Sequence, residues 1–284
     1  MQLLPVVIPG QPIYHLLLDE SHDVWIAPTI RSSRQWEPTE TLLFQRVIQR
    51  GDTVVDVGAH VGYFTVFFSR LTGAEGHVIG FEPEPDNNRL LRANLLLNDC
   101  KNAVVETLAL SNTAGDAVLF LSADNGGDHR LHSAPGRRRR EIRTTTLDAY
   151  LGERQVDFIK IDTQGAEPLV LEGMRATIAR SREQLGVLME YAPGLLERYG
   201  AGVDAFIMQL DELGARVFSL SQGSPERGAQ QSGPRLERAT STQALLHAAA
   251  ADLGKSGFED ASGNLLVFFS EAAERKYLAR LGAR

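Results

Sequence analysis

The sequence predicts a doubly wound α/β fold, a mostly parallel sheet with helices on both faces. Three observations lead there. Short β-branched runs alternate with segments whose apolar residues recur at helical spacing. Several of those runs are apolar throughout, as strands covered on both faces are. The run Val54–Val55–Asp56–Val57 passes through Gly58 and Gly62 directly into an apolar-faced segment, the strand–turn–helix order of a ligand-binding unit.

Residues 1–37 read as an N-terminal extension, a lid or edge hairpin. Pro5, Pro9, Pro12 and charged residues divide it into short extended pieces, and Trp25 and Trp36 are suited to pack it on the body. The main domain, 38–284, opens with a helix over Pro38 to Arg50, where Leu43, Phe44 and Val47 recur at helical spacing and Gly51 stops it. Strands are then expected at Thr53 to Val57, His77 to Phe81 and Ala103 to Leu108. Helices at Tyr63 to Leu71 and Asp86 to Leu97 separate them. Ala117 to Leu121 and Ile142 to Thr146 suit an antiparallel pair around a long polar loop. Val156 to Ile161 is the fourth central strand, followed by a helix containing Leu169 to Ile178. Leu185 to Met189 is a strand and Val203 to Leu213 a helix; Arg216 to Leu220 and Leu265 to Phe269 are the last strands. Ser221 to Thr240 is rich in Gly, Ser, Pro, Gln and charge and reads as a mobile polar insert, with a helix over Gln243 to Leu253 beyond it.

Apolar residues make up 43% of the 284, and the formal net charge is -7, which speaks against a fibrous or disordered chain and against general attraction to nucleic acid. Cys100 is the single cysteine, so neither an intramolecular disulfide nor a cysteine metal cluster can form. The apolar N-terminus lacks a basic leader and is broken by proline too early for a spanning helix. The expectation is a soluble, cytoplasmic protein with no nucleic-acid or membrane partner and no bound metal.

The loop Gly58–Ala59–His60–Val61–Gly62 suits a Rossmann-type nucleotide site, but it is not GxGxxG, and no GxxxxGK[ST] cradle is present. Asp56 shifts the balance. A carboxylate just before Gly58 repels phosphate and pairs with a cationic amine. Glu82 ends the next strand, where it can accept both hydroxyls of a ribose. A ligand with an ammonium-bearing tail, a ribose and no phosphate is S-adenosylmethionine, whereas NAD fits poorly. The plainer alternative is that Asp56 caps the glycine turn and Glu82 the following helix.

With VVDVGAHVGYFT, FEPEPDNNRLLRANLLLN, TTTLDAY, IKIDTQGAEPLVLEGM and LMEY in one order, the chain resembles the FkbM-type family of S-adenosylmethionine-dependent methyltransferases over roughly residues 38–191. The resemblance implies the class-I methyltransferase Rossmann-like fold, a central seven-stranded, mostly parallel sheet with a final antiparallel strand. It implies S-adenosylmethionine contacts from Asp56, Gly58, Ala59, His60, Gly62 and Tyr63 around the methionine portion, Glu82 and Pro83 at the ribose, Ala109 near the adenine, and Asp162.

Alternation along Ile159–Lys160–Ile161–Asp162 puts Lys160 and Asp162 on one face. Asp162, if its pKa is raised, can take a proton from a hydroxyl acceptor while Lys160 tunes its charge. The bland reading is an ion pair. His60 either packs in its loop or acts as a base. Gln164, Glu167, Glu190, Tyr191 and Asn125 are candidate substrate contacts; Glu167 serves equally well as a helix-start carboxylate. Asp124, Asp128, His129 and His132 have metal-ligand character without a supporting motif. Arg137 to Arg140 reads as a solvated loop or an anion grip, and Cys100 as structural. The expected function is O-methylation of a small natural product or sugar-containing metabolite. N-methylation of an amine or ring nitrogen, and a noncatalytic cofactor-binding subunit, are the alternatives. The expected partner is a small-molecule acceptor, with a homodimer possible through the N-terminal extension.

Overall fold

The chain runs β1 (Gln2–Val6), β2 (Tyr14–Leu18), α1 (Ile26–Ser33), α2 (Pro38–Val47), β3 (Thr53–Val57), α3 (Tyr63–Thr72), β4 (His77–Phe81), α4 (Pro85–Leu97) and β5 (Ala103–Glu106). It continues through β6 (Ala109–Leu110), β7 (Gly115–Leu121), β8 (Arg138–Thr145), α5 (Leu147–Leu151), β9 (Phe158–Ile161), α6 (Glu167–Glu172), α7 (Arg175–Ser181) and β10 (Gly186–Tyr191). Then follow α8 (Pro193–Tyr199), α9 (Val203–Glu212), β11 (Arg216–Gln222), β12 (Pro234–Arg238), β13 (Gly263–Phe268) and α10 (Glu271–Leu281). The computed structural model describes residues 1–20, 24–133, 135–200, 202–222, 234–238, 241–244, 246–247, 251 and 262–282.

The main sheet has the order β12-β11-β13-β10-β9-β3-β4-β5. β3, β4, β5, β9 and β10 are parallel, and β13 runs antiparallel between β10 and β11. The architecture is an α/β fold with a mixed sheet. It has eight strands rather than the expected seven, because Pro234–Arg238, inside the predicted insert, pairs antiparallel with β11. Of that insert, Ser221 and Gln222 end β11, while residues 223–233 and 239–240, and most of the predicted helix over Gln243 to Leu253, lie outside the described residues.

Period-two alternation in the buried strands sends neighbouring side chains into two cores. Val54, Phe158, Leu188 and Phe268 meet Phe44 of α2, Phe64 and Phe68 of α3, Leu91 of α4 and Tyr277 of α10. Val55, Ile159, Val187 and Val267 meet Leu151 of α5, Val170 of α6, Ile178 of α7 and Leu210 of α9. Burial of both faces explains why these strands are apolar at successive positions.

Other elements differ from the sequence reading in instructive ways. The third strand stops at Glu106, and Ala109–Leu110 leaves to join β8 and β7 in a separate three-stranded sheet. The single helix expected around Leu169 to Ile178 is two, divided at Gly173–Met174. α1, α8 and α10 fall where the sequence reading places no helix.

The N-terminal hairpin β1–β2 is tied to α4 by asparagine amides that imitate a neighbouring strand. Asn94 Oδ1 accepts from Leu17 N at 2.7 Å, and its Nδ2 donates to Leu17 O at 3.2 Å. Asn98 makes the same pair with His15, at 3.3 and 2.8 Å. Asn94 Nδ2 also donates to Val61 O at 2.8 Å, so one fully buried amide joins the hairpin to the glycine loop. Replacing Asn94 by Leu takes the partner from three backbone groups, Leu17 N, Leu17 O and Val61 O. We expect a stability loss of about 3 kcal/mol in urea unfolding; a loss within experimental error would show that the amide does not carry this junction.

Candidate functional site

The strand order reverses between β3 and β9, the place where doubly wound sheets bind ligands beyond their carboxyl ends. The register puts Asp56 beside Lys160 and Val57 beside Ile161. A cavity of about 660 Å³ opens there, bordered by Asp56, Glu82, Lys160 and Asp162.

The glycine loop is shaped by backbone contact. Gly58 has φ +78°, and a Cβ on it would lie 1.9 Å from the Asp162 carbonyl oxygen. Gly62 has φ +90°, and a Cβ there would meet Leu91 Cδ1 at 2.3 Å. The two glycines therefore let the loop close against the tip of β9 and the flank of α4. The N–H groups of Gly58 and Ala59 both donate to Phe81 O at 3.0 Å, which holds the loop over β4. His60, itself at φ +50°, donates its N–H to Glu82 Oε2 at 2.8 Å, while Glu84 N donates to Glu82 Oε1 at 2.9 Å. Glu82 thus braces the loop as well as lining the cavity. Burial pushes its carboxyl up to about 7.

Asp56 is only 1% exposed. Its Oδ2 accepts from Thr65 Oγ1 of α3 at 2.6 Å, while Oδ1 is buried without a hydrogen-bond partner. Burial raises its pKa, against the opposing pull of Lys160. Lys160, 6% exposed, sits 3.0 Å from Asp162 Oδ2 and 5.2 Å above the centre of the Phe64 ring. Burial alone would lower the lysine pKa, but Asp162, Asp56 and Glu37 drive it upward. For Asp162, burial is the largest single influence and pushes up, but the charge of Lys160 and the hydrogen bonds from Gln164 and Lys160 together outweigh it, so the carboxyl titrates below its ordinary range. The raised pKa that would make Asp162 a strong base is therefore not what the fold produces.

Gln164, held at φ +55°, donates Nε2 to Asp162 Oδ1 at 2.9 Å and Glu190 Oε2 at 2.7 Å. Burial and the Asp162 charge raise Glu190 well above the ordinary carboxylate range. Tyr63, Pro83, Ala109 and Asn125 also line the cavity. Asn125 Oδ1 accepts from Gly127 N at 3.0 Å, the Asx-type turn that shapes the loop over the opening. Asn87 of α4 and Val24 of the N-terminal segment bond that loop at Gly126 O and Asp124 O, at 3.0 and 3.2 Å.

Two predicted contacts are elsewhere. Glu167 is turned into its own helix start, accepting from Thr163 N, Thr163 Oγ1 and Gly165 N at 2.9 to 3.0 Å. Tyr191 points to the opposite face of β10, stacked on Phe206 with its hydroxyl donating to Leu246 O at 3.0 Å. The alternation that brings Glu190 into the cavity necessarily takes Tyr191 out of it. The arginine run divides: Arg137 pairs with Asp128, and Arg140 with Glu84 and Asp86, while Arg138 and Arg139 are exposed on β8. Asp128 also holds Arg130 at 2.6 Å, and His129 Nδ1 accepts from Ser122 N at 3.1 Å. Burial lowers His129 to about 4. Among the described residues, no group of three His, Cys, Asp or Glu is arranged to hold a metal, and no helix is long and apolar enough to cross a membrane. Cys100 is half-buried with its Sγ 3.7 Å from Asn98 O.

Sequence reasoning missed Glu37 and Ser262, both in the cavity wall, and placed no ligand role on Trp25 or Trp36, which line it too. Glu37 precedes Pro38 at the start of a predicted helix, where a capping role is the ordinary expectation. Only the fold brings it near Lys160.

Residues 56–217 match the family described as Methyltransferase FkbM domain. No curated protein matches the sequence. Solved structures similar to this chain include an O-methyltransferase from Bacillus cereus, 12% identical, covering 83% of this chain and 82% of that one, with TM-score 0.43. Precorrin-6y C5,15-methyltransferase from Geobacter metallireducens is 11% identical over 82% and 87%, also at 0.43. A ribosomal protein L11 methylase from Lactobacillus delbrueckii is 11% identical over 82% and 79%, at 0.41.

The charge arrangement yields a test. In Lys160→Met, Asp56 and Asp162 keep their burial and lose their cation, a loss of roughly 3 kcal/mol at neutral pH. In the native protein the depressed Asp162 pKa contributes stability above the unfolded carboxyl value, and that is lost as pH falls through the folded one. In the variant the Asp162 pKa rises, so protonation relieves the strain at lower pH. The gap between the two proteins in urea unfolding should therefore narrow on going from pH 8 to about pH 5; a gap independent of pH would dismiss this account.

Proposed function

The chain belongs to the FkbM methyltransferase family, and from that premise we propose that it transfers a methyl group from S-adenosylmethionine to a hydroxyl oxygen of a small natural product or sugar-containing metabolite. The observation that carries the choice of donor is the unpartnered Asp56 Oδ1, buried in the wall of the cavity with Glu82 on the adjacent strand. A buried carboxylate oxygen without a partner is costly unless a ligand supplies one. An ammonium does so, and a phosphate would make matters worse.

In this reading Asp56 receives the methionine ammonium, and the Gly58–Gly62 loop encloses the amino-acid tail together with Ala59, His60 and Tyr63. Glu82 uses lone pairs left over from the two loop amides to accept ribose hydroxyls, with Pro83 beside it and Ala109 by the base. When bound, the sulfonium supplies an electrophilic methyl carbon. The protein's contribution is alignment: the acceptor oxygen must be held in line behind that carbon, and restricting it there accounts for much of the acceleration. Asp162 stays ionised and orients the hydroxyl by accepting its hydrogen bond. Lys160 fixes Asp162 in place, and Gln164 and Asn125 narrow the acceptor's position. His60, in the loop wall, is the group assigned to take the proton. N-methylation is the second reading, and the carboxyl groups of Glu37 and Glu190 in the same wall favour it.

Calorimetric titration with S-adenosylhomocysteine and with NAD tests the donor. We expect S-adenosylhomocysteine to bind and NAD not to; the reverse would defeat the proposal. Asp56→Asn should weaken S-adenosylhomocysteine by about tenfold or more, the scale of one charge-assisted hydrogen bond. Transfer of tritiated methyl to metabolite extracts, followed by fragmentation of the product, separates O- from N-methylation.

A further inference from the structure

A side pocket of about 50 Å³ adjoins the cavity and shares Glu37, Lys160, Asp162, Glu190 and Ser262 with it. Four carboxyl groups border the pocket, those of Glu37, Glu40, Asp162 and Glu190, and Lys160 is the cation among its described lining residues. The partners divide unevenly. Asp162 has Lys160 and Gln164. Glu40 Oε1 accepts from Asn264 Nδ2 at 2.7 Å. Glu190 has the neutral amide of Gln164 and hydrogen bonds with Ser262 and Asp162, and Glu37 has a hydrogen bond with Trp36 and feels the charge of Lys160. Among the described residues, Lys160 is shared by Asp162, Asp56 and Glu37, and neither Glu37 nor Glu190 has a hydrogen-bonded cation of its own.

Glu37 reaches this place by an unusual route. It occupies the N-cap position of α2 yet its side chain makes no capping hydrogen bond, and its backbone stands at φ 43°, ψ 70°, a left-handed conformation that costs a residue with a Cβ. A helix start that forgoes its cap and carries strain to present a carboxyl to a cavity is built for what enters the cavity. Glu37 also lies upstream of residues 56–217, the part matched by the family. A second observation points the same way: the buried Asp56 Oδ1 in the same wall has no partner, so this cavity is short of positive charge in more than one place. On the reading above the methionine ammonium satisfies Asp56. Nothing in the donor remains for Glu37 and Glu190.

We propose that Glu37 and Glu190 form the recognition site for a protonated amine on the methyl acceptor, so that the acceptor is a cationic, amine-bearing small molecule and not a carboxylic acid or phosphate. The inference rests on the methyltransferase reading and deepens it. An ammonium placed between the two carboxylates would satisfy both, and Gln164 would link it to Asp162 at the transfer end. A carboxylate acceptor would find there, among the described residues, no cation but Lys160, which Asp162 already holds. Burial holds Glu37 up at about 8 and Glu190 well above its ordinary value, so the approach of a cation must drive protons off.

The acceptor itself need not be identified for the test. Nitrogen-bridged analogues of S-adenosylmethionine, with nitrogen in place of sulfur and a 2-aminoethyl, 2-hydroxyethyl or carboxymethyl arm in place of the methyl, probe the acceptor end directly. Binding is measured by calorimetry at neutral pH in two buffers of different ionisation enthalpy, alongside S-adenosylhomocysteine. We expect the aminoethyl arm to bind about tenfold tighter than the hydroxyethyl arm, with net proton release, and the carboxymethyl arm to bind weakest. In Glu37→Gln and Glu190→Gln that preference should fall below about threefold, while S-adenosylhomocysteine stays within about twofold of the native protein. The inference is overturned if the aminoethyl arm shows no advantage, if the carboxymethyl arm binds tightest, or if the preference survives both substitutions. Failure of S-adenosylhomocysteine to bind the native protein would instead remove the methyltransferase reading, and this inference with it. A variant that loses S-adenosylhomocysteine is replaced by the corresponding Asp, which keeps the charge and should keep the preference.

Discussion

One ammonium group holds the working end of this sheet together. Lys160 lies on β9 beside Asp56 of β3, and two residues before Asp162. Each of these groups would be costly to bury alone. Together they are tolerated, and the directions of their titration record it: the lysine is pushed up although burial opposes, and Asp162 is pulled down although burial opposes. The backbone makes the same junction tight. Gly58 and the Asp162 carbonyl approach so closely that a methyl group has no room. A cavity edge made of two strand tips thus stays fixed while the side chains above it wait for a ligand.

The second structural dependence runs through the N-terminal segment. Asn94 ties the hairpin to the glycine loop through one amide, and Val24 ties the following segment to the loop around Asn125. Trp25, Trp36 and Glu37 then complete the cavity wall. The segment is therefore a part of the pocket's construction, fastened at the same points that position the donor loop. Disturbance of the hairpin would reach the loop through Asn94, a contiguous hydrogen-bonded path.

What was legible in the sequence follows from how local its cause is. The strands at Thr53–Val57 and His77–Phe81 and the glycine turn between the first strand and α3 are set by neighbouring residues, and reading them along the chain suffices. Lys160 and Asp162 could be placed on one face from alternation alone, but their pKa directions could not, because those depend on Asp56 and Glu37 arriving from elsewhere. Glu167 and Tyr191 were misplaced for related reasons: a capping carboxylate and a ligand carboxylate look alike in sequence, and a strand end presents only one of two adjacent residues to a site. The eighth strand escaped because Pro234–Arg238 has turn-like, charged composition and owes its pairing to the edge that β11 offers. Glu37 escaped because its position before a proline at a helix start has an ordinary explanation that the fold does not use.

The polar groups that lack partners are as informative as those that have them. Carboxylates with purely structural work here are satisfied within the protein: Asp128 by two arginines, Glu84 by Arg140 and the α4 amides, Glu167 by its own turn. Asp56 keeps one buried oxygen without a partner, and Glu37 and Glu190, both raised by burial, border the same cavity. Burying such groups lowers stability in the free protein, and here they lie where a ligand can remove the deficit. A donor bearing one ammonium accounts for one of these groups. The remaining pair is an argument about the acceptor, because two carboxyl groups that burial keeps protonated ionise when a cation arrives beside them, and the donor's one ammonium is already placed.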